Sequence, residues 1–157
     1  MAAAGLSTIG VLVGYAAETV AGTRPTTGYT KLTRINAIGG VSLESEQIDA
    51  SALEDAITKY IPGRADTGGT FPVTVNYTNE TKAEWTTLIA AYNTAQNDGK
   101  GIWMEIYHPS MADAFFIKIA PPPQIPMPEY GQNELLTVEM NCMIEDFAGL
   151  QTAVVPS

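Results

Sequence analysis

Apolar and polar positions alternate along most of this chain. Phe71, Val73, Val75 and Tyr77 alternate with Pro72, Thr74, Asn76 and Thr78, the two-residue period of a half-buried strand. Pro72 lies near the start of that run, where a missing ladder donor is tolerated. Ile102, Met104 and Ile106 alternate with Trp103, Glu105 and Tyr107; after the turn-like His108-Pro109-Ser110, Phe115, Ile117 and Ile119 alternate with Phe116 and Lys118, so the two runs predict a hairpin. The longest run, residues 134–144, sets Leu136, Val138, Met140, Cys142 and Ile144 on one face and Thr137, Glu139, Asn141, Met143 and the following Glu145 on the other. Nearer the start, Ile35 and Ala37 share a phase before Gly39-Gly40, and Val41 and Leu43 alternate against Ser42, Glu44 and Glu46, which predicts two strands with a glycine kink or turn between them. One stretch has a helical period instead: Trp85, Leu88, Ile89, Tyr92 and Ala95 recur at three- and four-residue spacing. Thr81-Lys82-Ala83-Glu84 ahead of them matches a capping box, and Asn97-Asp98-Gly99 supplies the stop.

Between these elements lie four segments without a clear period. Residues 1–28 are rich in Ala, Gly and Thr, alternate only weakly (Ile9, Val11, Val13, Tyr15) and end in the breakers Thr23-Arg24-Pro25-Thr26-Thr27-Gly28, so they read as an extended arm that needs a docking partner. Residues 48–69 hold a candidate short helix at 49–55 and are otherwise broken by Pro62-Gly63 and Gly68-Gly69, a long irregular loop of the kind that carries contacts. Residues 121–128 are a proline-stiffened connector, and residues 147–157 a short tail. Five or six strands and one helix, joined by links too short for crossover helices, argue for a single domain over residues 1–157. Its class is mainly β: an antiparallel barrel or sandwich with one packed helix.

Seventeen acidic residues against eight basic ones give a formal charge of −9, which opposes adhesion to nucleic-acid backbones and anionic membranes. The apolar stretch at residues 9–17 is too short to span a bilayer, and residues 1–23 contain no Lys or Arg to make the basic head of a secretory signal. One Cys and one His exclude the usual zinc sets. Cys142 is in phase with apolar neighbours and reads as core filler, and His108 beside Pro109 reads as a turn residue rather than a general base. Asp49, Glu54 and Asp55 lack the ligand spacing of a calcium loop, and the glycine pairs lack the Lys-Ser/Thr of a phosphate loop. No cofactor, metal or catalytic set is expected, and the chain does not read as an enzyme. Trp85 belongs to the helix stripe, whereas Trp103, on the polar phase of its strand, is the better contact candidate. With Tyr107 it would form the platform of a carbohydrate-binding β-sandwich, the rival reading from another class.

The run Tyr29-Thr30-Lys31-Leu32-Thr33-Arg34-Ile35-Asn36 through Ile38-Gly39-Gly40, then Glu44 to Asp55, then Lys59-Tyr60-Ile61-Pro62-Gly63-Arg64-Ala65-Asp66-Thr67-Gly68-Gly69, resembles the major tail tube proteins of long, non-contractile-tailed bacteriophages. The strand at 73–78 and the helix entry Glu80-Thr81-Lys82-Ala83-Glu84-Trp85 continue the likeness, which covers about residues 5–145. It rests on order and spacing, since the pieces are structural rather than catalytic. The resemblance implies a subunit of hexameric rings stacked head to tail into a hollow tube in the virion tail, assembled in the host cytoplasm. Its expected partners are further copies of itself, a tape measure protein, a tail terminator and baseplate or tip proteins, with DNA passing through unbound. Other ring-forming proteins of the same class, a tail terminator or a secretion-system tube ring, are the near alternatives. Six copies at −9 sum to −54 formal charges per ring, so acidic side chains facing the bore would repel phosphate. Glu44, Glu46, Glu139 and Glu145 are the bore candidates, with Glu105 ranked below them. Contact candidates between subunits are Ile9, Val11, Val13 and Tyr15 of the arm and Asp49, Leu53, Tyr60, Ile61, Arg64 and Asp66 of the loop. Arm and loop are expected to order only on assembly.

Overall fold

The computed structural model describes residues 5–157. Its elements are β1 (Leu12–Ala17), β2 (Thr30–Leu32), β3 (Ile35–Ile38), β4 (Glu44–Asp49), β5 (Tyr60–Asp66), β6 (Thr70–Asn76), α1 (Asn79–Asn97), β7 (Ile102–Tyr107), β8 (Asp113–Ala120) and β9 (Thr137–Thr152). Seven strands form one antiparallel sheet in the order β2-β1-β7-β8-β9-β6-β3, while β4 and β5 pair only with each other. The strands β2 and β3 stand at opposite ends of that sheet, yet only Thr33 and Arg34 separate them in sequence. Three residue steps reach at most about 11 Å. The sheet must therefore curl until its two edges nearly meet, which makes it a barrel with a narrow gap rather than an open sandwich.

The inside of the curl is the main core. Val13, Phe71, Val73, Val75, Ile102, Met104, Ile117, Ile119, Val138, Met140 and Cys142 all point into it, as the alternation of their strands requires. Trp85, Leu88 and Ala95 of α1 complete this core. The helix begins three residues earlier than its sequence pattern suggests. Thr78 is the N-cap: its hydroxyl accepts from Thr81 N–H at 3.2 Å, and Thr81 Oγ1 accepts from Thr78 N–H at 2.8 Å. Glu84 is thereby free for another task. Its Oε2 accepts from Thr33 N–H at 3.0 Å and its Oε1 from the Thr33 hydroxyl at 2.7 Å. That carboxylate fastens α1 to the corner where the sheet closes. Arg34, the next residue, has φ +56°, and its carbonyl accepts from Asn76 N–H at 2.9 Å, so a residue with a Cβ is held in the left-handed region by bonds on both sides of the corner.

Several elements differ from the sequence expectation. Of the arm assigned to residues 1–28, residues 1–4 lie outside the described residues, and Leu12–Ala17 is not an arm but an interior strand of the sheet, between β2 and β7. Its pattern is weak because Gly14 interrupts it, and Gly14 is required by packing: a Cβ there would stand 2.8 Å from Pro156 Cβ. The loop assigned to residues 48–69 is largely the β4–β5 hairpin, and no helix forms at 49–55. The two strands expected on either side of Gly39-Gly40 form as β3 and β4, and because they belong to different sheets the glycines link the barrel edge to that hairpin. The tail assigned to residues 147–157 is ordered: β9 runs on to Thr152, and the residues beyond it cross the barrel.

Trp103 and Glu105 are buried, against the expectation of an exposed contact and a bore position. They lie on the outward phase of β7, yet Trp103 is 3% exposed and Glu105 0%. Around β1, β7 and β8 the outward face carries a second core of Ala16, Tyr29, Trp103, Ala114 and Phe116, roofed by Ala148, Ala153 and Val154. Arg24 lies over the Phe116 ring, 4.3 Å from its centroid. A buried Trp103 offers no stacking platform for a sugar.

Replacing Glu84 by Ala strands two Thr33 donors at the barrel corner. We expect a loss of about 1–3 kcal/mol in urea unfolding, with Thr33→Val losing less because it removes only the hydroxyl donor and leaves the backbone N–H bonded to Glu84; equal stability of Glu84→Ala and the parent would show that the corner is closed by something else.

Candidate assembly surfaces

Three surfaces remain after the cores are assigned. The first is the β4–β5 hairpin. Two strands alone bury little, and such a unit is marginal in water unless something packs on it. Here Ile48 is 47% exposed, Tyr60 56%, Ile61 50%, Ile57 78% and Leu53 fully so. Its shape is nevertheless specified locally. Asp49 Oδ1 accepts from Ser51 N–H at 2.9 Å, Asp55 Oδ2 from Ala52 N–H at 2.7 Å, Ser51 Oγ from Lys59 N–H at 2.7 Å, and Lys59 Nζ pairs with Asp55 at 3.0 Å. The hydrogen bonds from Ser51 and from Ala52 hold the Asp49 and Asp55 carboxyls below their ordinary values. Both carboxylates are thus occupied in shaping the turn. Asp49, Leu53, Tyr60, Ile61, Arg64 and Asp66 all fall on this hairpin, so the structure brings together the contact candidates of the second group.

Glu44 and Glu46 also fall on it, with Glu44 directly opposite Asp66. Like charges in register repel, so this end of the hairpin carries a concentrated negative charge. It is not part of the barrel wall that holds Glu139.

The second surface is the outward face of β6 and β9. The register sets Thr70 against Met143, Pro72 against Asn141, Thr74 against Glu139 and Asn76 against Thr137. Glu139 is the sole ionisable group among these eight, and the other seven, mostly Thr, Asn and Pro with Met143 at one end, are neutral. Glu145, expected on the same face, leaves it. The β8–β9 register steps from Ile119–Ile144 to Lys118–Asp146, so Glu145 has no residue opposite and the bulge re-aims it. Its Oε1 accepts from Tyr92 Oη of α1 at 2.9 Å, on the helix side of the sheet, and burial with this carboxylate raises the Tyr92 phenol.

The third surface is an apolar groove of about 670 Å³ beside β3, lined by Val11, Ile35, Val41, Phe115 and Phe147 among others. Phe115 and Phe147 stack with centroids 6.3 Å apart. Of the arm candidates, Val11 lines this groove, Ile9 is 83% exposed, Tyr15 is half-buried and Val13 belongs to its own subunit's core at 1% exposure.

Two buried acids were not legible as such in the sequence. Glu18 accepts from Gly101 N–H at 2.7 Å and Trp103 Nε1–H at 3.0 Å, with Lys118 Nζ 3.6 Å away. Burial opposes its charge more than any single partner favours it. The bonds from Trp103, Gly101 and the Gly22 backbone, with the Lys118 charge, together outweigh burial and hold the carboxyl below its ordinary value. Glu105 is the opposite case. Its Oε2 accepts from Val154 N–H at 2.8 Å but Oε1 has no partner, and burial raises its carboxyl although Val154 and Arg24 work against the shift.

His108 holds a loop: Nδ1 accepts from Ser110 N–H at 3.1 Å, leaving Nε2–H to donate to Ser7 O at 2.6 Å. Burial pushes the Cys142 thiol up to about 12. Among the described residues no three His, Cys, Asp or Glu side chains come together as a metal site, and no helix is long and apolar enough to cross a membrane.

No protein-family model and no curated protein matches the sequence. Solved structures do match the fold. A chain of the anti-feeding prophage baseplate, 6-fold symmetrised, is 12% identical with a TM-score of 0.57, covering 99% of this chain and 100% of that one. A chain from the tail of an empty gene transfer agent particle, refined helically with C6 symmetry, is 11% identical with a TM-score of 0.57 over 96% of this chain and 100% of that one. A chain from the virion of the native gene transfer agent particle is 12% identical with a TM-score of 0.52, covering 96% of this chain and 100% of that one.

The two acids should respond oppositely to pH. A lowered carboxyl contributes stability above the unfolded-state value that is lost as pH falls through the folded one; a raised carboxyl costs stability at neutral pH and ceases to do so at low pH. Glu18→Gln, which turns an amide N–H₂ toward one of two buried donors, is expected to lose about 1–3 kcal/mol at neutral pH, the loss shrinking in acid. Glu105→Gln, whose carbonyl can still accept from Val154, should gain stability at neutral pH, the gain vanishing in acid. Urea unfolding across about pH 3–8 checks both; a gain that persists at the acid end would refute the ionisation argument for Glu105.

Proposed function

We propose that this chain is a structural subunit of a phage-type tail, forming hexameric rings that stack into a hollow tube through which DNA passes. It is read as the major tail tube protein of a long, non-contractile tail, with no catalytic role. The observation that carries the reading is the β4–β5 hairpin: an exposed two-stranded unit with an apolar tip, set in a barrel whose structural neighbours come from a 6-fold symmetrised baseplate and a C6 tail.

A projecting apolar hairpin and a separate apolar groove are different patches of one surface, so the contact that uses them is heterologous and advances from copy to copy. A rotation that closes gives a ring, and a stacking contact that does not close gives a tube. The β6–β9 face is the proposed bore wall. Thr, Asn, Pro and Met side chains give DNA no cation to grip, and six copies of Glu139 would add a ring of negative charge that keeps phosphates moving. Glu44 and Glu46 then belong to the hairpin contact with neighbouring subunits rather than to the bore, and Glu145 to the packing of α1. A tape measure protein, a tail terminator and baseplate or tip proteins remain its proposed partners, and the virion tail its location.

Electron microscopy of the purified protein tests this. Rings or tubes are expected, and a Leu53→Asp/Ile57→Asp variant should give none while unfolding in urea like the parent, since neither side chain touches a core. Glu139→Lys should still form tubes but retain DNA on mixing at low salt, which the parent should not. A parent protein that sediments as a single subunit at every concentration would sink the reading.

A further inference from the structure

Residues 153–157 leave β9 and cross the outside of the barrel as a strap. Ala153 N–H donates to Ala112 O at 3.0 Å, Val154 N–H to Glu105 Oε2 at 2.8 Å, and Pro156 is buried where Gly14 leaves room for it. The strap ends beside β2: Ser157 N–H donates to Tyr29 O at 3.1 Å and Lys31 N–H donates to Ser157 O at 3.0 Å. Those two bonds bracket Thr30 in the pattern of a parallel strand pair. The sheet order leaves β2 paired on one side with β1 and otherwise terminal. The strap therefore occupies the edge that would be open to another strand. At the other end of the sheet no strand of the described residues pairs with the far side of β3.

We propose that this strap is an autoinhibitory cover, closing the β2 edge in the free subunit and moving aside when a strand of a second copy pairs there. The proposal rests on the ring reading above and adds a gate to it. The strap is held locally, by Pro156 over Gly14, by Ala153 and Val154 against the second core and by few hydrogen bonds. It has four backbone hydrogen bonds, one of them to a side chain, and Val155 is 62% exposed. Its latch is also unfavourable in one respect. Glu105 is wholly buried beneath the strap with Oε1 unpartnered, so lifting the strap returns an unsatisfied carboxylate to water, which offsets part of the cost of breaking the strap's own bonds. Arg24 and Tyr29 are the charged and titratable groups that bear on Glu105 from the segment packed against it. An exposed strand edge is an aggregation hazard, and a cover that yields only to the correct partner keeps free subunits apart until a ring is being built.

The Ser157 bridge opposite Thr30 puts the two residues within reach of a disulfide, so a Thr30→Cys/Ser157→Cys variant can pin the strap shut; Cys142, buried in the core, stays out of the reaction. Ring formation by the oxidised and reduced variant is followed by sedimentation and electron microscopy. The expected result is single subunits when oxidised and rings when reduced; rings from both forms overturn the proposal. Independently, hydrogen exchange on the free subunit should show Val154, Ser157 and Lys31 amides at least about tenfold less protected than those of β7. Equal protection overturns the proposal as well, because a strap that opens only on global unfolding is no gate. If neither the parent nor the reduced variant forms rings, the ring reading itself fails, and with it the assembly role of the strap, whatever exchange shows.

Discussion

The closure of the sheet at Thr33 and Arg34 constrains everything else. Two strands joined by two residues cannot sit at opposite edges of a flat seven-stranded sheet. Once the sheet curls, the alternating apolar residues of six strands face one another and a single helix suffices to fill the remaining side. The corner depends on one carboxylate. Glu84 satisfies both Thr33 donors from the helix, so the element that plugs the barrel also fastens its seam. The left-handed backbone of Arg34 is tolerated because its carbonyl is engaged on β6 at the same point.

Closing the barrel also decides what is left over. The outward face of β1, β7 and β8 is covered by the segment around Tyr29 and by the chain beyond β9, whereas the outward face of β6 and β9 is bare. The covered half places two acids, Glu18 and Glu105, at positions where charge is costly. Glu18 has enough donors to stay ionised comfortably and Glu105 does not. That asymmetry is what the proposed release of the cover over Glu105 draws on.

The bare half and the hairpin lie in different parts of the molecule, and each suits a different neighbour. The β6–β9 face is neutral around a lone Glu139, while Leu53, Ile57 and Tyr60 leave apolar surface exposed on the hairpin. Under the proposed ring-and-tube reading the first would face the channel and the second the neighbouring subunits. Much of the net negative charge has other uses. Asp49 and Asp55 shape a turn, Glu84 seals the seam, Glu145 receives Tyr92, and Glu18 and Glu105 are interior.

By itself the sequence determined the class and most of the strands. Wherever one face of a strand is buried and the other is wet, as in Phe71–Val75 and Val138–Cys142, a period of two is written directly into the residues. The helix was legible for the same reason, though its first turn was not, because Thr78 and Thr81 compete with Glu84 for the capping role and only the seam at Thr33 settles which is used. Tertiary structure alone decided what becomes of the polar phase. The burial of Trp103 and Glu105 is a property of the chain that crosses over them, more than eighty residues away for Trp103–Glu18. The departure of Glu145 from its face is a property of a register step against β8. Alternation reports which residues share a face; it carries no information on what a distant segment lays across that face, because coverage depends on contacts between residues far apart in the chain.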